Sequence, residues 1–224
     1  MARRALAMMV LAAALAGCAG ARDKGVWHTI ERGQTLWRIA HTYRVDLQEL
    51  AEVNDIEDPA KIQAGQRIFV PGVEKSIKVE PYRPPAKGSA EAHKPVPRVK
   101  TDKGRLAWPV DGVVTSRFGI RGQRRHDGID IGAPTGTAIK AAATGKVAYA
   151  EYTRGYGNLI IVQHDRQMMT VYAHCQKILV SKGERVERGK PIGTVGATGR
   201  ASGPHLHFEV RIDRKPRNPK FFLP

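Results

Sequence analysis

The sequence predicts a multi-domain chain: a small α+β unit, a Pro/Lys-rich linker, and an antiparallel all-β domain. Three observations predict it. Between residues 26 and 71, apolar residues alternate at both ends of the segment and repeat at helical spacing in its middle. From 74 to 105, prolines stand among lysines and arginines with almost no apolar periodicity. From Leu106 onward, short β-prone runs are separated by glycine turns, and no long amphipathic helix interrupts them.

Taken in order, the first unit reads as strand, helix, helix, strand. Trp27-His28-Thr29-Ile30 alternates; Leu36, Ile39, Ala40 and Tyr43 share one helical face, as do Leu47, Leu50 and Ala51; Arg67-Ile68-Phe69-Val70 is the second strand. Gly33 and Gly65 punctuate the joins, and Thr35 is placed to cap the first helix. The 74–105 stretch, with Pro81, Pro84, Pro85, Pro95 and Pro97, reads as a solvated tether. Stretched in polyproline geometry, ~30 residues at about 3.1 Å each would span on the order of 90 Å. In the third part the strand runs are Gly112–Thr115, Gly145–Ala150, Asn158–Val162, Thr170–Tyr172, Pro191–Val195 and Leu206–Val210. Glycine-rich loops at Gly155–Gly157 and Gly196–Gly203 would leave room for an extended peptide.

The 224 residues include 37 Lys and Arg against 21 Asp and Glu, a formal charge of +16. Such a balance suits a polyanionic partner: nucleic acid, anionic lipid, or a carboxylate-bearing cell wall. Nucleic acid is excluded on pattern, since there is no long basic helix, no RNA-binding aromatic signature and no zinc-finger spacing.

The first 18 residues read as a secretion signal. Arg3 and Arg4 supply the positive start, and Ala5 to Ala16 form an apolar run too short to span a bilayer, which takes about 20 residues. Leu15-Ala16-Gly17-Cys18 then resembles a bacterial lipobox, which implies that Cys18 becomes the lipid-modified first residue of a membrane-anchored protein. By the same resemblance, the absence of Asp next to Cys18 favours the outer membrane, facing the periplasm. Cys175 is then left without a disulfide partner and reads as a small buried residue, turned by strand alternation away from the face of His174.

The chemistry concentrates in His126-Asp127-Gly128-Ile129-Asp130, Tyr172-Ala173-His174 and Gly203-Pro204-His205-Leu206-His207. On a strand His205 and His207 face the same way, and so would His126 and Asp130 if extended. Three such side chains could grip one metal. Imidazoles with a carboxylate form the nitrogen and oxygen set of catalytic zinc, whose bound water has a pKa of about 7 and which polarises carbonyls. Remaining histidines could take a proton or stabilise an oxyanion. His164 closes a strand beside a turn and reads as structural; His28, His41 and His93 lie outside the all-β domain and read as solvated or satisfied locally.

Two resemblances sharpen this reading. Glu31 to Ala40, Leu50 with Asn54, and Gln63 to Pro71 resemble a LysM module, which implies binding of peptidoglycan glycan strands over 26–71. Trp108-Pro109-Val110, Arg117-Phe118-Gly119, His126 to Asp130, Tyr172-Ala173-His174, Gly196-Ala197-Thr198-Gly199 and Gly203 to Glu209 resemble the lysostaphin/LytM zinc peptidases, covering the domain 106–224. That resemblance implies His126, Asp130 and His207 as zinc ligands and His174 and His205 as catalytic histidines. Cys175 departs from the family's apolar or amide residue without touching the five. The expectation is a zinc metalloendopeptidase that cuts peptide cross-links of peptidoglycan, with the stem peptides in a groove over the metal. The alternative is a LytM-domain activator of cell-wall amidases in cell division, a role filled by relatives that have lost the site residues.

Overall fold

The computed structural model describes residues 24–83, 98–122 and 124–224. The signal segment with Cys18, His93 and the middle of the expected tether lie outside the described residues. Among the described residues no helix is long and apolar enough to cross a membrane. The chain divides into a unit built on residues 22–101 with 119–124, and a second that contains 102–118 and 125–224.

In the first unit, β1 (Gly25–Thr29) pairs antiparallel with β2 (Arg67–Pro71), with α1 (Leu36–Tyr43) and α2 (Leu47–Val53) between them in sequence. Thr35 caps α1 as expected, its hydroxyl accepting from the Arg38 N–H, and Asp46 caps α2 in the same way from Glu49. Leu36, Ile39, Ala40 and Tyr43 bury the face that their spacing marked, against Leu50, Ala51, Ile68 and Val70. Asn54 acts as a brace: its amide donates to the carbonyls of Leu50 and Phe69, and its oxygen accepts the Phe69 N–H at 2.7 Å. His28 is buried and satisfied within the unit, by the Tyr43 hydroxyl at 3.1 Å and Gln34 Oε1 at 2.9 Å.

The stretch expected as a solvated tether begins instead as part of this unit. Val79 is 1% exposed and belongs to the same apolar core. Gln34 Nε2 donates to the Val79 carbonyl at 2.7 Å, the Tyr82 N–H donates to the Gly33 carbonyl at 2.7 Å, and the Tyr43 hydroxyl accepts from the Ile77 N–H. Prolines and lysines mask the segment in sequence, but one apolar side chain every few residues is enough when backbone groups find side-chain partners.

The second unit is a mostly antiparallel β domain. In chain order the strands after residue 112 are β3 (Val113–Ser116), β4 (Gly119–Arg121), β5 (Arg124–His126), β6 (Ile129–Gly132), β7 (Ala138–Lys140), β8 (Gly145–Thr153), β9 (Gly157–Gln163), β10 (Met168–Ile178), β11 (Arg185–Val186), β12 (Pro191–Val195), β13 (His205–Ile212) and β14 (Lys215–Arg217). The main sheet runs β11-β8-β9-β10-β13-β6-β3, with β12 joined to β10 and β7, and β14 to β13; β4 and β5 form a separate pair.

Two features of this sheet place the site. The first is β13, whose residues Leu206 to Arg211 are all buried: Leu206, Phe208 and Val210 fill the apolar side, while His207, Glu209 and Arg211 share the other face. The second is a break in β10. Up to Ala173 it pairs with β13; from Cys175 it pairs with β12, and its register to β9 slips across the same point. His174 sits at the break with φ 63°, left-handed backbone that a non-glycine residue adopts at a cost.

If the segment after Pro71 is integral to the first unit, Val79→Ala should lower that unit's stability by roughly 1.5–3 kcal/mol, the worth of a buried valine side chain. Thermal or urea unfolding followed at the Trp27 and Trp37 fluorescence checks it. A solvated tether would leave the transition unmoved.

Candidate metal centre and catalytic histidines

Strand register brings Asp130, His207 and His174 together. His207 is the direct cross-strand partner of Asp130 on β6 and of Ala173 on β10, so that His174 follows on the next residue. His126 reaches the same point by a turn, not by the extended run that would have put it in line with Asp130: β5 ends at His126, and Asp127 and Gly128 bend the chain before β6 starts. A Cβ at Gly128 would collide with the Phe208 carbonyl, so the crossing requires glycine.

His126 Nε2, Asp130 Oδ1 and His207 Nδ1 then lie 3.0, 3.0 and 2.8 Å apart. Among the described residues this is the one cluster of histidine, cysteine or acidic groups that could hold a metal ion. His205, on the same face of β13 as His207, brings Nε2 to 3.8 Å from Asp130 Oδ1. The His174 ring lies 4.9 Å from that of His205 and 6.0 Å from that of His207, centre to centre. All five predicted residues therefore converge.

The protons of the four rings are assigned by their outer partners. A backbone carbonyl or a carboxylate only accepts, so the ring nitrogen facing it carries the hydrogen. His126 Nδ1 donates to the Arg117 carbonyl at 2.8 Å, His174 Nδ1 to Thr198 at 2.7 Å, His205 Nδ1 to Gly203 at 2.8 Å, and His207 Nε2 to Glu209 Oε1 at 3.0 Å. Each neutral ring then keeps its other nitrogen bare, and for His126 and His207 that nitrogen belongs to the cluster.

Three acceptor atoms within 3.0 Å of one another repel unless something positive lies among them. Without a metal, a proton fills this role. Burial alone pushes His207 down, but its hydrogen bonds and attraction to Asp130 and Glu209 outweigh burial and raise it to about 9. Asp130 is held far below the usual carboxylate range: burial opposes this, and the bonds and charges of His126 and His207 prevail. Two nitrogens and one carboxylate oxygen, each with its lone pair free once that proton leaves, fit a divalent zinc ion.

Behind His207 stands a group that the sequence reading missed. Glu209 is fully buried and accepts from the Tyr156 hydroxyl at 2.9 Å on one oxygen and from Arg211 Nε at 2.6 Å on the other; burial pushes its carboxyl up, but the bond and charge of His207 first, and of Arg211 next, outweigh burial and lower it. The signal was present: in the β13 run, polar residues recur at 205, 207, 209 and 211 with apolar ones between.

His174 is kept neutral. Burial depresses it to about 4, with the neighbouring His207 and His205 charges adding to the effect against the bond to Thr198. His164, read as structural, is likewise lowered by burial and ties the Thr144 carbonyl to the Thr170 hydroxyl. Cys175 is buried as expected, although the break at His174, and not simple alternation, sets its direction; burial pushes its thiol up to about 12. The glycine loops serve two ends. Gly157 and Gly199 carry positive φ, and a Cβ on either would strike the other loop, so these two let the loops lock together, whereas a Cβ at Gly155 or Gly203 would meet nothing within 4 Å.

The strain at His174 gives a test that reverses an ordinary order. In a strand interior glycine is less stable than alanine by about 0.5–1 kcal/mol. At φ 63° the order inverts, and His174→Gly should be the more stable of the two by about 1 kcal/mol in urea unfolding.

Residues 28–71 match the LysM domain and residues 124–219 match Peptidase family M23. The chain is 35% identical to the uncharacterized lipoprotein YgeR of Escherichia coli (strain K12), over 94% of this chain and 88% of that one. It is 33% identical to the cell division protein DipM of Caulobacter vibrioides, over 92% of this chain but 36% of DipM. It is 29% identical to the murein hydrolase activator NlpD of Salmonella dublin, over 92% and 70% respectively. The chain belongs to peptidase family M23, with a LysM domain ahead of its peptidase domain.

Proposed function

We propose that the chain is a zinc metalloendopeptidase that hydrolyses peptide cross-links of bacterial peptidoglycan, tethered to a membrane through a lipid on Cys18 and to the wall through its LysM domain. The observation that carries this reading is the convergence of His126, Asp130, His207, His174 and His205, with every ring tautomer set from outside. His126, Asp130 and His207 would hold the zinc, which when bound supplies polarisation of a carbonyl oxygen and acidifies water near neutral pH.

The chain's own groups do the rest. His174, neutral throughout the physiological range because burial depresses it to about 4, offers Nε2 as a proton acceptor. His205, its Nδ1 committed to Gly203, presents Nε2 beside Asp130 and shares the handling of the proton and of the oxyanion that forms on attack. Membership of family M23 and the LysM domain support a peptidoglycan substrate, and relatives named as lipoproteins support an envelope location, outer membrane and periplasm-facing on the sequence reading.

A second reading has a specific observation in its favour: relatives that match over most of this chain are named murein hydrolase activators. In that role the chain would bind and switch on a cell-wall amidase.

Digestion of purified peptidoglycan by the chain beginning after Cys18 separates the two. With zinc, cross-linked dimers should fall to monomers, and chelator or His207→Ala should abolish the conversion; product masses identify the bond. Unchanged dimers with zinc, together with faster release by an added amidase, would instead establish the activator.

A further inference from the structure

We propose that Thr198 is a positioning residue for His174, acting through its hydroxyl to hold its own carbonyl on His174 Nδ1. The inference rests on the reading of His174 as the proton acceptor. A left-handed histidine in the middle of an eleven-residue strand persists only where its surroundings over-determine it. The surroundings are few and specific. The His174 N–H donates to the Tyr156 carbonyl at 2.8 Å, which fixes one side of the break. On the other side Asn158 Nδ2 donates to the carbonyls of Cys175 and Gln176, both at 3.0 Å.

Thr198 closes this arrangement with its hydroxyl and its carbonyl. Its hydroxyl donates to the Cys175 carbonyl at 2.9 Å and accepts the Asn158 N–H at 3.0 Å, while its carbonyl accepts His174 Nδ1–H at 2.7 Å. The hydroxyl therefore ties its own loop to the residue that follows His174, and the carbonyl returns the tie to the His174 ring. Gly157 and Gly199 permit the approach, since a Cβ on Gly157 would strike the Thr198 hydroxyl oxygen. Removing the hydroxyl strips the Asn158 N–H of its acceptor and the Cys175 carbonyl of one donor; the Arg200 N–H on the Gly155 carbonyl at 2.9 Å and the Cys175–Val195 pairing still hold the loop on either side of Thr198, but neither bonds Thr198 itself. A ring misplaced by about 1 Å costs on the order of 10²-fold in rate.

The experiment compares Thr198→Val with Thr198→Ser in the zinc-loaded protein. The first readout is the hydrogen-bonded His174 Hδ1 resonance in the downfield proton NMR spectrum, assigned by its loss in His174→Gln. The second is steady-state cleavage of a cross-linked peptidoglycan fragment, with zinc content measured alongside. Thr198→Val should lose the resonance and about 10- to 100-fold in kcat, with KM and bound zinc unchanged, while Thr198→Ser should keep the resonance and stay within about threefold of wild type. If Thr198→Val keeps the resonance and the rate, or if Thr198→Ser fails as badly as Thr198→Val, the hydroxyl is not what positions the ring and the proposal falls. Should Thr198→Val not fold, Thr198→Ala replaces it against Thr198→Ser with the same expectations. The resonance decides the positioning role even if the wild type cleaves nothing, an outcome that would sink the peptidase reading alone.

Discussion

The register of one strand governs the functional half of this protein. Because β13 lies between β6 and β10, His207 faces Asp130 on one side and Ala173 on the other, and both the candidate metal cluster and His174 are fixed by the same ladder. A slip of one residue would turn His207, Glu209 and Arg211 into the apolar layer and Phe208 and Val210 into the site. Leu206, Phe208 and Val210, all fully buried, resist that slip, so ordinary apolar packing is what aims the candidate ligand His207.

A second constraint comes from charge. Bringing His126, Asp130 and His207 within 3.0 Å of one another, with Glu209 and Arg211 buried behind them, is unfavourable for bare groups and tolerable only as a connected network. The outer partners perform two tasks at once. They satisfy the second nitrogen of each ring, and they thereby decide which nitrogen stays available to the site. The left-handed backbone at His174 belongs to the same logic: it moves β10 from one partner strand to another and sets the histidine's ring beside those of His205 and His207.

Much of this was legible in the residues. Helix faces in the first unit follow from the spacing of Leu36, Ile39, Ala40 and Tyr43, and the shared face of His205 and His207 from strand alternation. Residues that follow no period were harder to read. The turn at Asp127 and Gly128, the break at His174 and the interlocked loops at Gly157 and Gly199 depend on backbone from distant strands, which local pattern does not encode. Val79 was hidden for the opposite reason: its neighbours carry the composition of a tether, while its own side chain completes a core most of whose residues, from Ile30 to Ile56, lie more than twenty positions away.

In the His126, Asp130 and His207 cluster, a proton on His207 stands where the proposed metal ion would sit. Calorimetric titration of the metal-free protein with zinc, in buffers of different ionisation enthalpy, counts the protons released. His207 is raised to about 9 without metal, so it is charged at pH 7.5 and must lose its proton as zinc enters. The expected result is at least one proton released per zinc at pH 7.5, that of His207 plus whatever the zinc-bound water gives up, and an affinity that climbs tenfold or more per pH unit between 7 and 8.5. Zinc binding that releases no proton and holds a constant affinity across that range would contradict the account.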